Sequence, residues 1–171
     1  MIELRELTLA DAQALQRIFS PESTKFLGRA PMDAADARLY AGNAVASVGR
    51  RPRSLYTLGL TADDDLLGVV KLCLDRPLPS VSYVLRPDTW GRGYATEGLR
   101  ILLALAFGQL GLPAVHAKHH PDNPASGRAL VKAGFIRTGR VSGFETYVNS
   151  ADRPGHRAPR GSPAACWTRS S

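Results

Sequence analysis

The sequence predicts a mixed α/β fold in which about four helices flank a six- to seven-stranded, mostly antiparallel sheet. Three stretches indicate this class. Residues 2–7 alternate apolar and charged side chains, as a half-buried strand does. Residues 55–85 contain three apolar runs separated by turn-forming residues, which is the pattern of an antiparallel meander. Residues 82–105 pass from strand-forming residues through a glycine-rich loop into a long apolar helix.

Capping and turn residues divide the chain into the individual elements. The predicted helices begin near Asp11, Asp33, Ala95 and Asn123 and end near Pro21, Val48, Phe107 and Gly134. The predicted strands cover residues 2–7, 55–60, 66–74, 81–85, 115–119 and 135–148, the last kinked at Gly139 and Gly143, and residues 164–169 form a seventh. The segment 20–32 is predicted to be a loop or a short helix.

Length and composition favour one domain, residues 1–171, with a proper hydrophobic core. The chain shows no apolar run of membrane-spanning length and no signal-peptide pattern at its start, so we expect a cytoplasmic location and no membrane partner. Residues 149–163 are rich in Pro, Gly, Arg and Ser. They are predicted to form a mobile or partly disordered loop.

The glycine-rich loop is the strongest functional signal in the sequence. Pro87 ends the preceding strand, and Gly91 and Gly93 allow a tight turn and a close approach of the backbone to a ligand. A helix begins directly afterwards, so its unpaired N–H groups and the side chain of Arg92 favour a phosphate. The dinucleotide fingerprint fails because Thr96 replaces its third glycine, and the Walker pattern fails as well. A glycine turn that merely joins strand to helix is the alternative.

The stretch from Trp90 to Ala95 resembles the Q/R-x-x-G-x-G/A loop of the GNAT acetyltransferase superfamily, although Trp90 departs from Gln or Arg. The longer run Trp-Gly-Arg-Gly-Tyr-Ala-Thr-Glu is similar to that of the ribosomal-protein alanine N-acetyltransferase subgroup. A second motif, Asn123-x-x-Ser126 followed by Lys-Ala-Gly-Phe, has GNAT spacing. Many members carry a tyrosine that protonates the leaving thiolate where this chain has Leu130, and the same subgroup also lacks it.

This resemblance implies an acetyl-CoA-dependent N-acetyltransferase that needs no metal. The implied cofactor-binding residues are Val84, Leu85, Trp90, Gly91, Arg92, Gly93, Tyr94, Ala95, Thr96, Asn123 and Ser126. The implied catalytic groups are Ser126, as the thiol contact, and the backbone N–H groups near Val84 and Leu85, which a splayed central strand leaves free for the oxyanion. The general base stays open among Asp75, His119, His120, Glu145 and water.

The resemblance also implies an amine acceptor, which could be a protein N-terminus, a small metabolite or an amine antibiotic, and a monomer or homodimer. The segment 149–163 is expected to shape the choice of amine. Asn123 could serve only as a helix cap, and Lys132 is expected to be a solvated helix residue rather than a phosphate contact.

Two other functions compete with this interpretation. A CoA-binding regulatory protein without catalysis would equally lack the tyrosine. The net charge of +7, from 22 basic and 15 acidic residues, could instead attract nucleic acid. No helix-turn-helix, basic helix or aromatic stacking set accompanies that charge, so we expect no nucleic-acid partner. His116 and His120 face opposite to His119 on the predicted strand, which argues against a metal site.

Overall fold

The computed structural model describes residues 1–75 and 77–152. Within these residues the strands and α-helices are β1 Ile2–Glu6, α1 Ala12–Ile18, α2 Pro21–Thr24, α3 Ala34–Val48, β2 Leu55–Ala62, β3 Asp65–Cys73, β4 Ser80–Leu85, α4 Tyr94–Ala104, β5 Ala114–His119, α5 Pro124–Lys132, β6 Ile136–Val141 and β7 Phe144–Ser150. A π-helical turn, Leu105–Gln109, prolongs α4. The predicted strand at 164–169 and the greater part of the predicted loop 149–163 lie outside the described residues.

The seven strands form one sheet in the order β1-β2-β3-β4-β5-β7-β6. All neighbouring pairs are antiparallel except β4 and β5, which run parallel. The β4–β5 pair is in register only at Ser80 and His116, where the His116 amide donates to the Pro79 carbonyl at 2.8 Å. Beyond this point the two strands diverge. The predicted mixed sheet, splayed at its central strand, is therefore confirmed.

Helices cover both faces of the sheet. On one face α4 and α5 bury Leu99, Leu102 and Leu130 against alternate residues of the central strands, such as Val70 and Leu72. On the other face α1 and α3 pack with their own apolar residues against Leu66, Val69 and Val84. Gly98 allows α4 to pack closely against the sheet, since a Cβ there would lie 3.0 Å from the Leu60 side chain. No helix within the described residues is long and apolar enough to cross a membrane.

The hairpin that follows α5 corrects one prediction. Residues 135–148, predicted to be one kinked strand, are two antiparallel strands joined at Ser142 and Gly143, whose φ angles of 49° and 82° suit a tight hairpin turn. Gly139 lies at an irregularity in the β6–β7 register rather than at a kink. The strand β7 also continues through Ser150, and so includes two residues that the sequence assigned to the following loop.

The short helix α2 confirms one of the two structures predicted for residues 20–32, a loop or a short helix. Pro21 was expected to stop the first helix, but α1 ends at Ile18 and Pro21 is the first residue of α2. Proline suits that position because the first helical N–H has no intrahelical acceptor. Ser20 caps this helix by accepting a hydrogen bond from the Ser23 amide. The predicted caps Asp33 and Asn123 are confirmed by their side-chain bonds to the third helical residue.

Candidate active site

The divergence of β4 from β5 leaves backbone groups of β4 facing an opening in the sheet. The Arg86 amide donates to the Leu67 carbonyl of the β3 side at 2.8 Å. Since amides alternate in direction along a strand, the amide of Val84 also faces β3, and those of Tyr83 and Leu85 face the opening. Of the two backbone amides predicted to donate to the oxyanion, only that of Leu85 faces the opening, because the Val84 amide is turned toward β3.

The loop after β4 folds back onto the end of that strand. The indole N–H of Trp90, a residue 51% exposed, donates to the Leu85 carbonyl at 3.1 Å. Gly91 and Gly93 have φ angles of 75° and 80°, which side chains with a Cβ adopt only under strain. Within the described residues, no atom beyond the adjoining residues lies within 4 Å of a Cβ built on either glycine. The backbone of this loop is therefore open to a ligand.

The N-terminus of α4 follows the loop directly. Gly93 is its N-cap, and the first intrahelical bond runs from the Glu97 amide to the Gly93 carbonyl at 3.1 Å. The N–H groups of Tyr94, Ala95 and Thr96 precede that bond, so helix geometry gives them no intrahelical acceptor. Eleven residues of α4 align their peptide dipoles behind these N–H groups. The loop and helix together have the geometry of the anion site that the sequence predicts.

A groove of about 400 Å³ opens beside this helix terminus. It is lined by Ile2, Arg92, Gly93, Tyr94, Thr96, Glu97, Arg100 and Lys132. Three of these side chains are cationic, and the one carboxylate, Glu97, pairs with Arg100 at 3.2 Å. Lys132, expected to be only a solvated helix residue, lies in the wall of this groove. The excess of positive charge suits a ligand with several phosphates.

Ser126 and Tyr83 meet on the α5 side of the sheet. The Tyr83 hydroxyl lies 2.6 Å from the Ser126 hydroxyl and donates to the Ser126 carbonyl at 2.9 Å. Burial raises the pKa of Tyr83 to about 12, and the hydrogen bond with Ser126 acts in the opposite direction. The Ser126 amide donates to the Asn123 side chain at 3.4 Å, so the cap predicted for Asn123 also orients the start of α5. Leu130 is fully buried in the core.

Tyr83 is a residue that the sequence analysis did not single out. It belongs to β4, and 43 residues separate it from Ser126. Nothing in the local sequence indicates the contact, because it depends on how α5 packs over the splayed strands. The alternation of apolar residues in β4 could have indicated only that Tyr83 and Leu85 share the α4 face.

The lone pairs of both candidate histidines are occupied. The Nδ1 atom of His119 lies 2.7 Å from the His120 carbonyl, so it carries the proton, and its Nε2 accepts from the Tyr147 hydroxyl at 3.0 Å. The Nδ1 atom of His120 accepts from the Asp122 amide at 3.1 Å. A neutral imidazole has one lone pair, so neither ring in this arrangement offers a free base to an amine.

The two acidic candidates differ in their surroundings. Glu145 forms ion pairs with Arg137 and Arg140, both at 2.5 Å, and their hydrogen bonds lower the pKa of its carboxyl. A carboxylate held in this way is a weak base. Asp75 is exposed just beyond the end of β3. Of the options that the sequence left open, this geometry favours water as the group that accepts the amine proton.

The histidines of the β5 region do not gather into a metal site within the described part of the chain, where no three His, Cys, Asp or Glu side chains form a group able to hold a metal ion. His120 instead stacks on Phe26, with ring centroids 5.2 Å apart, and meets Phe144 edge-on at 6.3 Å. It therefore contributes to an aromatic wall on the α1–α3 side of the sheet.

Comparison with known families agrees with this geometry. The model of the acetyltransferase (GNAT) domain matches residues 2–136. The chain therefore belongs to the GNAT acetyltransferase family, and the family prediction is confirmed. The matched residues include β4, the glycine-rich loop that follows it, and α5.

Among individual proteins, YoaA of Bacillus subtilis, described as an uncharacterised N-acetyltransferase, is 28% identical over 142 residues, or 80% of each chain. The solved aminoglycoside acetyltransferase AAC(6')-Ib in complex with coenzyme A and kanamycin superposes with a TM-score of 0.72 at 19% identity, covering 88% of this chain and 95% of that one. RimJ of Mycobacterium smegmatis in complex with CoA-disulfide gives 0.70 at 20% identity, covering 88% and 82%. At these identities the two structures establish the shared fold.

Proposed function

We propose that the protein is an acetyl-CoA-dependent N-acetyltransferase that moves the acetyl group directly to a primary amine in a ternary complex. The observation that carries this proposal is the meeting of two features at the end of β4. One is an anion site, made by the loop 90–93 and the start of α4. The other is an opening in the sheet into which the Leu85 amide points. The first suits the phosphates of coenzyme A and the second suits a thioester carbonyl.

Coenzyme A would be held mainly by backbone. Its pyrophosphate would accept hydrogen bonds from the amides of Arg92 to Thr96, and the cationic groove beside them suits the remaining phosphate. The thioester would then lie between β4 and β5, where the strands no longer bond to each other. Several solved proteins of the same fold are complexes with coenzyme A or its disulfide, which supports coenzyme A as the ligand.

The transfer forms a C–N bond and breaks the C–S bond. The neutral amine attacks the thioester carbonyl, and the Leu85 amide donates to the developing oxyanion. When the C–S bond breaks, the sulfur leaves as a thiolate that accepts a hydrogen bond from Ser126, and the nitrogen of the new amide releases its extra proton to water. The ammonium form of the acceptor must first lose a proton to water. An exposed lysine-like amine, with a pKa of about 10.4, is roughly one part in a thousand neutral near pH 7, so the rate should depend strongly on pH.

The acceptor class is part of the same proposal and includes protein N-termini, small metabolites and amine antibiotics. The aminoglycoside acetyltransferase, solved with a bound antibiotic, has the same fold as this chain. RimJ and a putative ribosomal-protein-serine acetyltransferase of Vibrio cholerae have this fold as well. The loop sequence from Trp90 to Glu97 supports the ribosomal-protein subgroup within this range.

Replacement of Gly93 by valine tests the anion site. The added Cβ and its methyl groups would project into the open space above the loop and block a pyrophosphate. We expect coenzyme A affinity, measured by calorimetry, to fall at least about tenfold, since several charge-assisted hydrogen bonds are lost. Acetyl-CoA turnover, followed by thiol release, should fall with it.

The control for backbone strain is Gly111→Val. Gly111 has a φ of 64° and equally open surroundings, but it follows the π-helical turn at the far end of α4, about 25 Å away at 1.5 Å per residue. Both variants should lose similar thermal stability, and only Gly93→Val should lose coenzyme A. Equal affinity for coenzyme A in the two variants would refute the proposed cofactor site.

A further inference from the structure

The groove proposed for coenzyme A lies on the α4 side of the sheet, so the proposed transfer leaves the opposite face, under α1 and α3, for the acceptor. Lys71 of β3 and Ser82 of β4 are register partners, and both alternate with residues buried under α4. In β5, His116 and Lys118 alternate with the buried Val115 and Ala117, so they share this face. Of these strand residues, Lys71 and Lys118 carry a charge, and both charges are positive.

Two cations share one aromatic ring on this face. The Lys71 ammonium lies 5.5 Å from the ring centroid of Tyr40, and the Arg29 guanidinium lies 6.0 Å from the same centroid. Arg29 also stacks on Phe19 at 4.7 Å. Burial lowers the pKa of Lys71; the nearby Cys73 opposes this shift and Arg29 adds to it. The exposed Arg29 guanidinium therefore repels the half-buried Lys71 ammonium.

Other buried or half-buried cations in the described residues are neutralised. Arg5 pairs with Asp11 at 2.8 Å, Arg53 with Glu6 at 2.7 Å, and Arg86 with Asp65 at 2.7 Å.

Lys71 and Arg29, by contrast, form no ion pair with a carboxylate of residues 1–75 or 77–152. A half-buried ammonium that a neighbouring cation repels and that no counter-ion neutralises destabilises the free protein, so Lys71 indicates a site that an anion completes.

We propose that the acceptor is an amine that also carries an anionic group, a carboxylate or a phosphate, and that Lys71 and Arg29 bind this group. The inference rests on the proposed acetyltransfer. Lys71 stands opposite Ser82, three residues before Leu85 on β4, which corresponds to about 10 Å along the strand. The anion must therefore lie several bonds from the reacting nitrogen. Polycationic aminoglycosides are disfavoured, since they would add like charge to this face.

A spacer series of amines tests the charge and the distance together. The probes are β-alanine, 4-aminobutanoate, 6-aminohexanoate and 8-aminooctanoate, each compared with its neutral amide and with kanamycin. With acetyl-CoA and the unmodified chain, kcat/KM should favour the acids over their amides by about 10- to 100-fold, the worth of a hydrogen-bonded charge pair. The preference should be largest for the intermediate spacers, and kanamycin should be the poorest substrate.

The variants Lys71→Met and Arg29→Gln test whether these two residues cause the preference for acids over amides. Each should reduce the ratio of acid to amide at least about fivefold, through the KM of the acid, and leave the amide nearly unchanged. The matched control is Arg38→Gln, which removes one positive charge from the exposed face of α3. Methionine keeps the unbranched, apolar stem of the Lys71 side chain and removes a half-buried charge, so this variant should melt higher than the parent protein in the absence of ligand.

Binding of the N-acetylated acids, which needs no turnover, separates this inference from the proposed function. If no amine releases thiol but the acetylated acids bind and Lys71→Met abolishes that binding, acetyltransfer is refuted and the anion site stands. If amides and acids react equally well, or if the ratio is the same in Lys71→Met and Arg38→Gln, acetyltransfer stands and the anion site is refuted. If neither thiol release nor product binding is seen, both are refuted.

Discussion

The hydrogen-bonded pair of Tyr83 and Ser126 leads to a prediction about how the leaving thiolate is assisted. Tyr83 has one hydroxyl proton and two acceptors, the Ser126 carbonyl at 2.9 Å and the Ser126 Oγ at 2.6 Å. If Tyr83 donates to the carbonyl, the Ser126 hydroxyl donates to the Tyr83 oxygen and has no proton left for the sulfur. If Tyr83 donates to Oγ, the serine proton is free for sulfur. We expect the second arrangement during transfer, so the two hydroxyls act in series.

The magnitude follows from a single hydrogen bond. A thiol with a pKa of about 8.5 leaves fairly well unaided, so Ser126 should contribute about one to two kcal/mol. Ser126→Ala should therefore lower kcat by roughly 5- to 30-fold, at about tenfold for each 1.36 kcal/mol, with the KM for acetyl-CoA nearly unchanged. Tyr83→Phe should lower kcat by no more than that. Because the groups act in series, the double variant should match Ser126→Ala alone.

Thiol release under saturating acetyl-CoA, with the best acceptor of the spacer series, provides the measurement. A double variant whose loss equals the product of the two single losses would show that the hydroxyls act independently and would refute the relay. A fully active Ser126→Ala variant would leave the serine with helix capping only. Since the pKa of Tyr83 is raised to about 12, its ionisation should leave no limb in the pH profile between about 6 and 9.

Two further predictions concern groups that the proposed chemistry does not use. Glu145→Gln should keep full turnover and the same pH profile, because the ion-paired carboxylate is not the base; a large loss of kcat would reinstate it. The folded pKa of Glu145 is lowered, so its contribution to the free energy of unfolding is present above about pH 4.3 and is lost as the pH falls through the lowered value. In denaturant titrations this variant should therefore be destabilised at pH 7, and the difference from the parent protein should shrink as the pH is lowered. Tyr40→Phe should raise the free energy of unfolding by about 1 kcal/mol, because the buried Tyr40 hydroxyl has no hydrogen-bond partner within the described residues; a less stable variant would mean that this hydroxyl is satisfied in solution.

Local backbone requirements made much of the fold predictable. The helix α3 was predicted from Asp33 and ends at Val48 as expected, because a capping side chain satisfies its first N–H groups wherever the helix lies. The start of α5 at Asn123 has the same explanation. The hairpin β6–β7 was missed because it needs two consecutive residues with positive φ angles, Ser142 and Gly143. Serine rarely adopts a positive φ, so the sequence did not indicate a hairpin turn at this point.

The sequence by itself determined the conformation of the glycine-rich loop and the start of the helix after it. Gly91, Arg92 and Gly93 act through their own conformation and charge and through the helix that follows, so the motif can be read without knowing its neighbours. The rest of the site was decided by tertiary structure. The Leu85 amide faces an opening only because β5 diverges from β4, and Ser126 reaches Tyr83 only because α5 crosses those strands. Contacts between residues far apart in sequence depend on strand register and helix packing, which are properties of the whole core rather than of any local segment.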